Sequence, residues 1–154
     1  MEHKRIGLFV NRKKDSRLEI TKKLVTLIGK YGMKPLLPKS VATDLGLDEG
    51  YSESAMLDMA SFLISVGGDG TLLNMARASF NYDIPVLGIN LGTVGFLADV
   101  EINEIEKAVK RLADDDYELK NRMVLSATVF RNNSTVFESI ALNDVVVNRD
   151  GLSR

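Results

Sequence analysis

The chain of 154 residues contains no cysteine and no tryptophan, and its only histidine is His3. Without cysteine there is no disulfide framework, no thiolate nucleophile and no cysteine-ligated metal site. Because His3 lies next to the first residues, we expect it to be an exposed side chain rather than a catalytic one. This argues against Ser-His-Asp chemistry.

Long apolar runs and an excess of one charge are also missing. No stretch approaches the ~18 consecutive apolar residues of a membrane-spanning helix, and the first residues contain no signal-peptide hydrophobic region. The 20 basic and 21 acidic residues give a formal net charge of −1, so no broad basic surface for nucleic acid is expected. With 45% hydrophobic residues, the composition is typical of a globular protein. We therefore expect a cytoplasmic protein that binds neither a membrane nor nucleic acid.

Two kinds of apolar pattern alternate over residues 1–120. Short apolar runs, typical of strands buried on both faces, occupy residues 6–10, 35–37, 62–66 and 84–89. Helical stripes lie between or after them, at residues 20–31, 52–60, 72–80 and 102–112. The mixed segment 38–50 contains several breakers, and we interpret it as a loop. The order predicts an α/β lobe over 1–120, with a parallel, Rossmann-like sheet in three layers.

The pattern changes after residue 120. Two strand-like segments, 122–130 and 135–148, flank the turn-like Asn132-Asn133-Ser134, which predicts a β-hairpin. An isolated hairpin is only marginally stable. We therefore expect 121–154 to be the first antiparallel strands of a truncated β domain, whose unpaired edges favour association with another chain.

The segment richest in glycine is Gly67-Gly68-Asp69-Gly70-Thr71, between a buried strand and the start of a helix. Ligands of open parallel sheets bind at the carboxyl ends of strands, and amides at a helix N-terminus can bind phosphate. Asp69 adds a carboxylate that could take a proton from a hydroxyl or help hold a divalent cation. Leu73 stands where the dinucleotide fingerprint has its third glycine, and no P-loop motif is present. The alternative is a tight turn in which Asp69 or Thr71 merely caps the helix.

Two further segments carry candidate residues. A second glycine loop, 90–97, follows the next strand, so both loops should form a crevice at one edge of the sheet. Its Phe96 and Leu97 could equally be core residues. Asn143 and Asp144 form a polar pair within a β-branched segment, where they need hydrogen-bond partners or an edge or turn position.

Together these segments resemble three successive signatures of bacterial NAD kinases, at residues 66–71, 88–97 and 142–146. The Gly-Gly-Asp-Gly turn alone is shared with the wider superfamily of phosphofructokinases and diacylglycerol-type lipid kinases. The second loop reads Gly92-Thr93-Val94-Gly95-Phe96, not the Gly-Thr-x-Asn-Asp of the lipid kinases, which favours NAD kinases. Arg122 and Leu125 resemble a further short segment of this family, and Asp144 stands where many relatives have glutamate.

The resemblance implies phosphorylation of the 2′-hydroxyl of the adenosine ribose of NAD to give NADP. ATP or polyphosphate would be the donor, with Mg²⁺ or another divalent cation, and Asp69 would be the general base. The implied nucleotide-binding residues are Gly68, Gly70, Thr71, Leu73, Phe96, Leu97, Asn143 and Asp144. Arg12, Lys13 and Lys14 follow the first strand and could approach the donor phosphates, or could form a solvated basic loop. No residue is assigned as a direct metal ligand.

NAD kinases continue into a second, mainly β domain that completes the NAD site and builds the oligomer. The resemblance therefore implies a homo-oligomer as a partner, and a chain with little activity alone. Two alternatives stay open at this point: a lipid kinase of the diacylglycerol kinase-like superfamily and a non-catalytic nucleotide-binding module.

Overall fold

The computed structural model describes residues 4–92, 97–98 and 100–147. The chain forms two compact units, Met1–Leu119 and Lys120–Arg154. Within the described residues, none of the helices combines the length and the apolar character needed to cross a membrane.

The first unit is built on a five-stranded sheet in which every neighbouring pair is parallel. Its strands are β1 (Arg5–Val10), β2 (Lys34–Leu36), β3 (Phe62–Gly67), β4 (Val86–Asn90) and β5 (Val100–Glu101), in the spatial order β2-β1-β3-β4-β5. All six residues of the central strand β3 are buried, as a continuous apolar run predicts. The parallel sheet is therefore confirmed, and β5 is an addition to it that a two-residue pattern could not predict.

Helices cover both faces of this sheet. They are α1 (Glu19–Lys30), α2 (Lys39–Asp44), α3 (Glu53–Met59), α4 (Asp69–Ala78) and α5 (Ile105–Ala113), the last preceded by a 3₁₀ turn, Ile102–Glu104. Alternate residues of β3 enter different cores, since successive strand residues face opposite ways. Ile64 and Val66 belong to a large cluster with α1 and α5, and Leu63 to a smaller one with Leu72 and Met75 of α4. The predicted three-layer arrangement is confirmed.

Two details of the helix prediction are wrong. The segment 38–50 is not only a loop, because it contains α2, with Pro38 at its N-cap and Val41 and Ala42 buried. Six residues are too few to produce a recognisable apolar stripe. The stripe at 72–80 is too long, because α4 ends at Ala78 and Phe80 is 48% exposed.

The second unit contains the predicted hairpin, formed by antiparallel strands β6 (Leu125–Arg131) and β7 (Ser134–Ala141). Asn132 and Asn133 have φ angles of 50° and 59°, the left-handed conformation that two-residue hairpin turns require and that asparagine tolerates. Strand β7 ends at Ala141, so the predicted strand to residue 148 is too long. That the hairpin opens a larger β domain stays a prediction.

Candidate active site

Three chain segments meet at the carboxyl edge of the sheet. Gly67 at the end of β3 is paired in register with Asn90 at the end of β4. The Leu91 N–H donates to the Gly67 carbonyl at 2.6 Å, and the Asn11 N–H donates to the Val66 carbonyl at 2.9 Å. The two glycine segments thus begin side by side, with the loop after β1 next to them.

Gly67 lets the loop after β1 approach the first turn of α4. A Cβ on Gly67 would lie 2.2 Å from Thr71 Oγ1 and 3.0 Å from Asn11 Cβ. In the space that glycine leaves, Asn11 Nδ2 donates to Thr71 Oγ1 at 3.2 Å. Asn11 Oδ1 accepts the N–H groups of Lys13 and Lys14, so one side chain shapes the loop and joins it to α4.

The Gly-Gly-Asp-Gly turn is the start of α4, with Gly68 at the N-cap and Asp69 as the first helical residue. Because the N-cap is Gly68, which has no side chain, neither Asp69 nor Thr71 occupies the cap position that the alternative required. The N–H groups of Thr71 and Leu72 instead donate to the Gly68 carbonyl at 2.9 and 3.1 Å. Among the described residues, a Cβ on Gly70 would meet no heavy atom within 4 Å.

Asp69 connects the helix start to the chain that follows the second glycine loop. Its Oδ1 accepts the N–H groups of Leu97 and Ala98, both at 3.2 Å. Amide donors stabilise the ionised form of a carboxylate and fix its orientation. The returning chain also passes close to β4, because a Cβ on Gly88 would lie 2.9 Å from Ala98 Cα. The carboxylate is therefore held in a defined position between the two glycine segments.

The basic residues after β1 point to different places. The Arg12 guanidinium forms an ion pair with Asp44 at the end of α2, and Lys13 is exposed in the loop. Lys14, in contrast, places Nζ 2.7 Å from the position of a Cβ on Gly68 and 3.3 Å from that of a Cβ on Gly92. Of the three, Lys14 is the residue that the structure brings to the glycine segments.

The other predicted residues are distributed as follows. Thr71 and Leu73 are half-buried on α4, and Leu97 is half-buried against the smaller core cluster. Phe96 lies outside the described residues. Asn143 and Asp144 are exposed in the second unit, past the end of β7. Their polar side chains therefore lie outside a strand, as the predicted edge or turn position requires.

Sequence reasoning missed two asparagines at this edge. Asn11 directly follows β1, and Asn90 ends β4 with only 7% exposure and its Oδ1 accepting the Gly92 N–H at 3.1 Å. Both stand immediately after or at the end of a buried apolar strand. An asparagine at the end of an apolar strand is the sequence signal that could have identified them as site residues, because a buried amide needs hydrogen-bond partners.

The oxygen atoms of the site suit a cation that is carried by phosphate. No group of three or more histidine, aspartate or glutamate side chains that could hold a metal ion occurs in the described part of this cysteine-free chain. Mg²⁺ usually takes one or two carboxylates together with phosphate oxygens and water. The Asp69 carboxylate and the Asn90 amide oxygen lie beside the glycine turns and already accept backbone N–H groups, so this edge fits a cation that brings most of its oxygen ligands with the phosphate.

Comparison with known proteins finds similar sequences along most of the chain. The family model of the ATP-NAD kinase N-terminal domain matches residues 6–117. The chain is 41% identical over 151 residues to an NAD kinase of Acetivibrio thermocellus, covering 97% of this chain and 52% of that protein. It is 36% identical over 152 residues to an NAD kinase of Thermoanaerobacter sp., with 98% and 54% covered.

A solved structure has the same fold. The crystal structure of yeast NADH kinase complexed with NADH superposes with a TM-score of 0.79 at 19% sequence identity, covering 93% of this chain and 48% of that chain. The chain therefore spans about half the length of the curated relatives and of the solved structure that it matches.

Proposed function

This chain belongs to the ATP-NAD kinase family through its amino-terminal domain, and on that premise we propose that its site phosphorylates NAD. The acceptor is the 2′-hydroxyl of the adenosine ribose, and the product is NADP. One observation carries the proposal: the Asp69 carboxylate is fixed by the Leu97 and Ala98 amides at the meeting point of two glycine segments. A carboxylate held beside a helix N-terminus suits proton abstraction next to bound phosphate.

In the proposed reaction Asp69 takes the proton of the 2′-hydroxyl. The ribose oxygen then forms a bond to the terminal phosphorus of ATP or polyphosphate, and the bond to the departing ADP or shortened polyphosphate breaks. Positioning and electrostatic stabilisation contribute most to such transfers. The first turn of α4, with Gly68, Gly70 and Thr71, would line the phosphate side.

The remaining predicted residues keep their roles as proposals. Leu73, Phe96 and Leu97 would border the nucleotide, and Asn143 and Asp144 would hydrogen-bond ribose hydroxyls. Mg²⁺ would arrive with the donor phosphates, which would supply most of its oxygen ligands, and would offset their charge. We also propose a cytoplasmic location and a homo-oligomer. Exposed apolar residues on the hairpin, among them Val129 and Phe137, support the latter.

A substrate comparison separates this proposal from a lipid kinase. Residues 1–154 would be joined to the part of the Acetivibrio thermocellus NAD kinase that lies beyond the matched 52%, and assayed with ATP and Mg²⁺. We expect phosphate transfer to NAD and none to diacylglycerol in mixed micelles. Transfer to the lipid would instead establish the lipid kinase. A folded hybrid that binds ATP and NAD but transfers phosphate neither to NAD nor to diacylglycerol would support a non-catalytic binding module.

A further inference from the structure

One ammonium group lies directly beside both glycine turns. The positions of a Cβ on Gly68 and on Gly92 are 2.7 and 3.3 Å from Lys14 Nζ, and 3.9 and 4.0 Å from Asn90 Oδ1. Any side chain at residue 68 would displace the ammonium. Glycine at these two positions therefore leaves the space in which Nζ lies, and the loop after β1 is held against α4 by Asn11.

The positive charge of Lys14 lies at the N-terminus of α4, an electrostatically unfavourable position for a cation. The N-terminus of a helix carries the positive end of the helix dipole, which favours an anion and disfavours a cation. Among the ion pairs of the described residues, none includes Lys14, whereas its neighbour Arg12 is paired with Asp44. The Asp69 carboxylate in the same turn directs Oδ1 to two backbone amides. The Lys14 ammonium adds a second positive charge to the positive end of the α4 dipole. An anion that contacts the ammonium and the helix N-terminus would be attracted by both.

We propose that Lys14 binds the phosphate chain of the donor and positions it at the N-terminus of α4. The inference rests on the proposed function and names the residue that supplies the cation for that site. A lysine ammonium is a compact charge with three donors that suits phosphate oxygens. The sequence suggested this role for Arg12, Lys13 and Lys14 alike, and the proposal assigns it to Lys14.

The test measures the affinity of the 154-residue chain for inorganic tripolyphosphate by titration calorimetry. Lys14→Gln should bind at least about tenfold more weakly, because hydrogen bonds to a charged group are lost. Lys22→Gln, which removes the same charge from an exposed position on α1, should bind like the wild type. The urea midpoint of Lys14→Gln should not fall, since the side chain is exposed and its charge is disfavoured at the helix N-terminus in the absence of an anion.

A second variant tests the geometry without changing the charge. Gly68→Ala should also weaken tripolyphosphate binding, because its Cβ would occupy the place of the ammonium. The double variant should bind no more weakly than Lys14→Gln alone, since both changes remove one contact. Equal affinity of Lys14→Gln and wild type, or no binding by the wild type, would overturn the inference. Phosphate transfer to NAD, measured separately, would then still decide the proposed function.

Discussion

Replacing Gly67 with alanine tests how the site is assembled. The new Cβ would lie 2.2 Å from Thr71 Oγ1, 2.8 Å from Thr71 Cβ and 3.0 Å from Asn11 Cβ. Because the nearest atoms belong to a short side chain on a helix and to a hydrogen-bonded loop, neither can move without breaking the contact between Asn11 and Thr71. Overpacking of this kind costs about 1–3 kcal/mol.

The assay is equilibrium unfolding in urea. With a slope of about 2 kcal/mol per molar urea, a loss of about 2 kcal/mol lowers the midpoint by about 1 M. Gly70→Ala is the matched control, because its Cβ would meet no atom of the described part of the chain within 4 Å and its position in α4 gains up to about 1 kcal/mol from alanine. Adding Thr71→Ala to Gly67→Ala should recover part of the loss. Equal midpoints for Gly67→Ala and Gly70→Ala would refute the packing argument.

Two further predictions concern the stability of the lobe. Asp15 is 5% exposed, and its Oδ2 accepts both the N–H and the hydroxyl of Thr21 at 2.9 and 2.6 Å. Asp15→Ala should therefore lower the free energy of unfolding by about 1–3 kcal/mol, because buried donors of Thr21 lose their partner. Asp15→Asn should lower it by less, as measured in urea. The pKa of Glu106 is lowered from 4.5, first by the hydrogen bond from Lys30 and then by its charge. A carboxylate whose pKa is lowered in the folded state stabilises the fold at pH values above its ordinary pKa. This stabilisation is lost as the pH falls through the lowered pKa. Glu106→Gln should therefore lower the melting temperature slightly at neutral pH, and this difference from the wild type should vanish in acid or in high salt. A difference that depends on neither pH nor salt concentration would contradict a stabilising ion pair.

Much of the lobe could be predicted because parallel strands have a simple signature. A strand buried on both faces reads as a continuous apolar run, as in β3, and the carboxyl ends of neighbouring parallel strands share an edge. The sequence alone therefore predicted that the glycine segments at Gly67 and Gly92 lie together. The short elements α2 and β5 could not be predicted, since neither spans two turns of a helix or enough residues to alternate.

The finer placement of side chains depends on contacts that no local pattern contains. Arg12, Lys13 and Lys14 are equivalent in sequence, and the hydrogen bonds of Asn11 with the loop and with Thr71 accompany the turn that brings Lys14 to the glycines. Similarly, Val145, Val146 and Val147 have the composition of a strand, yet β7 ends at Ala141. β-Branched composition indicates compatibility with a sheet, and the ladder itself decides where pairing stops.

The most direct test of the central claim is the rate of NADP formation by the hybrid described above, with Asp69→Asn beside the unsubstituted protein. Asp58→Asn, the same change at an exposed position on α3, is the control. If Asp69 is the general base, Asp69→Asn should lower kcat by about 10²–10⁴-fold in a hybrid whose urea unfolding curve shows that it is still folded, and Asp58→Asn should leave kcat unaltered. If Asp69→Asn lowers kcat by no more than about threefold, the loss is far smaller than the range expected when a general base is removed. That result would contradict the role proposed for Asp69.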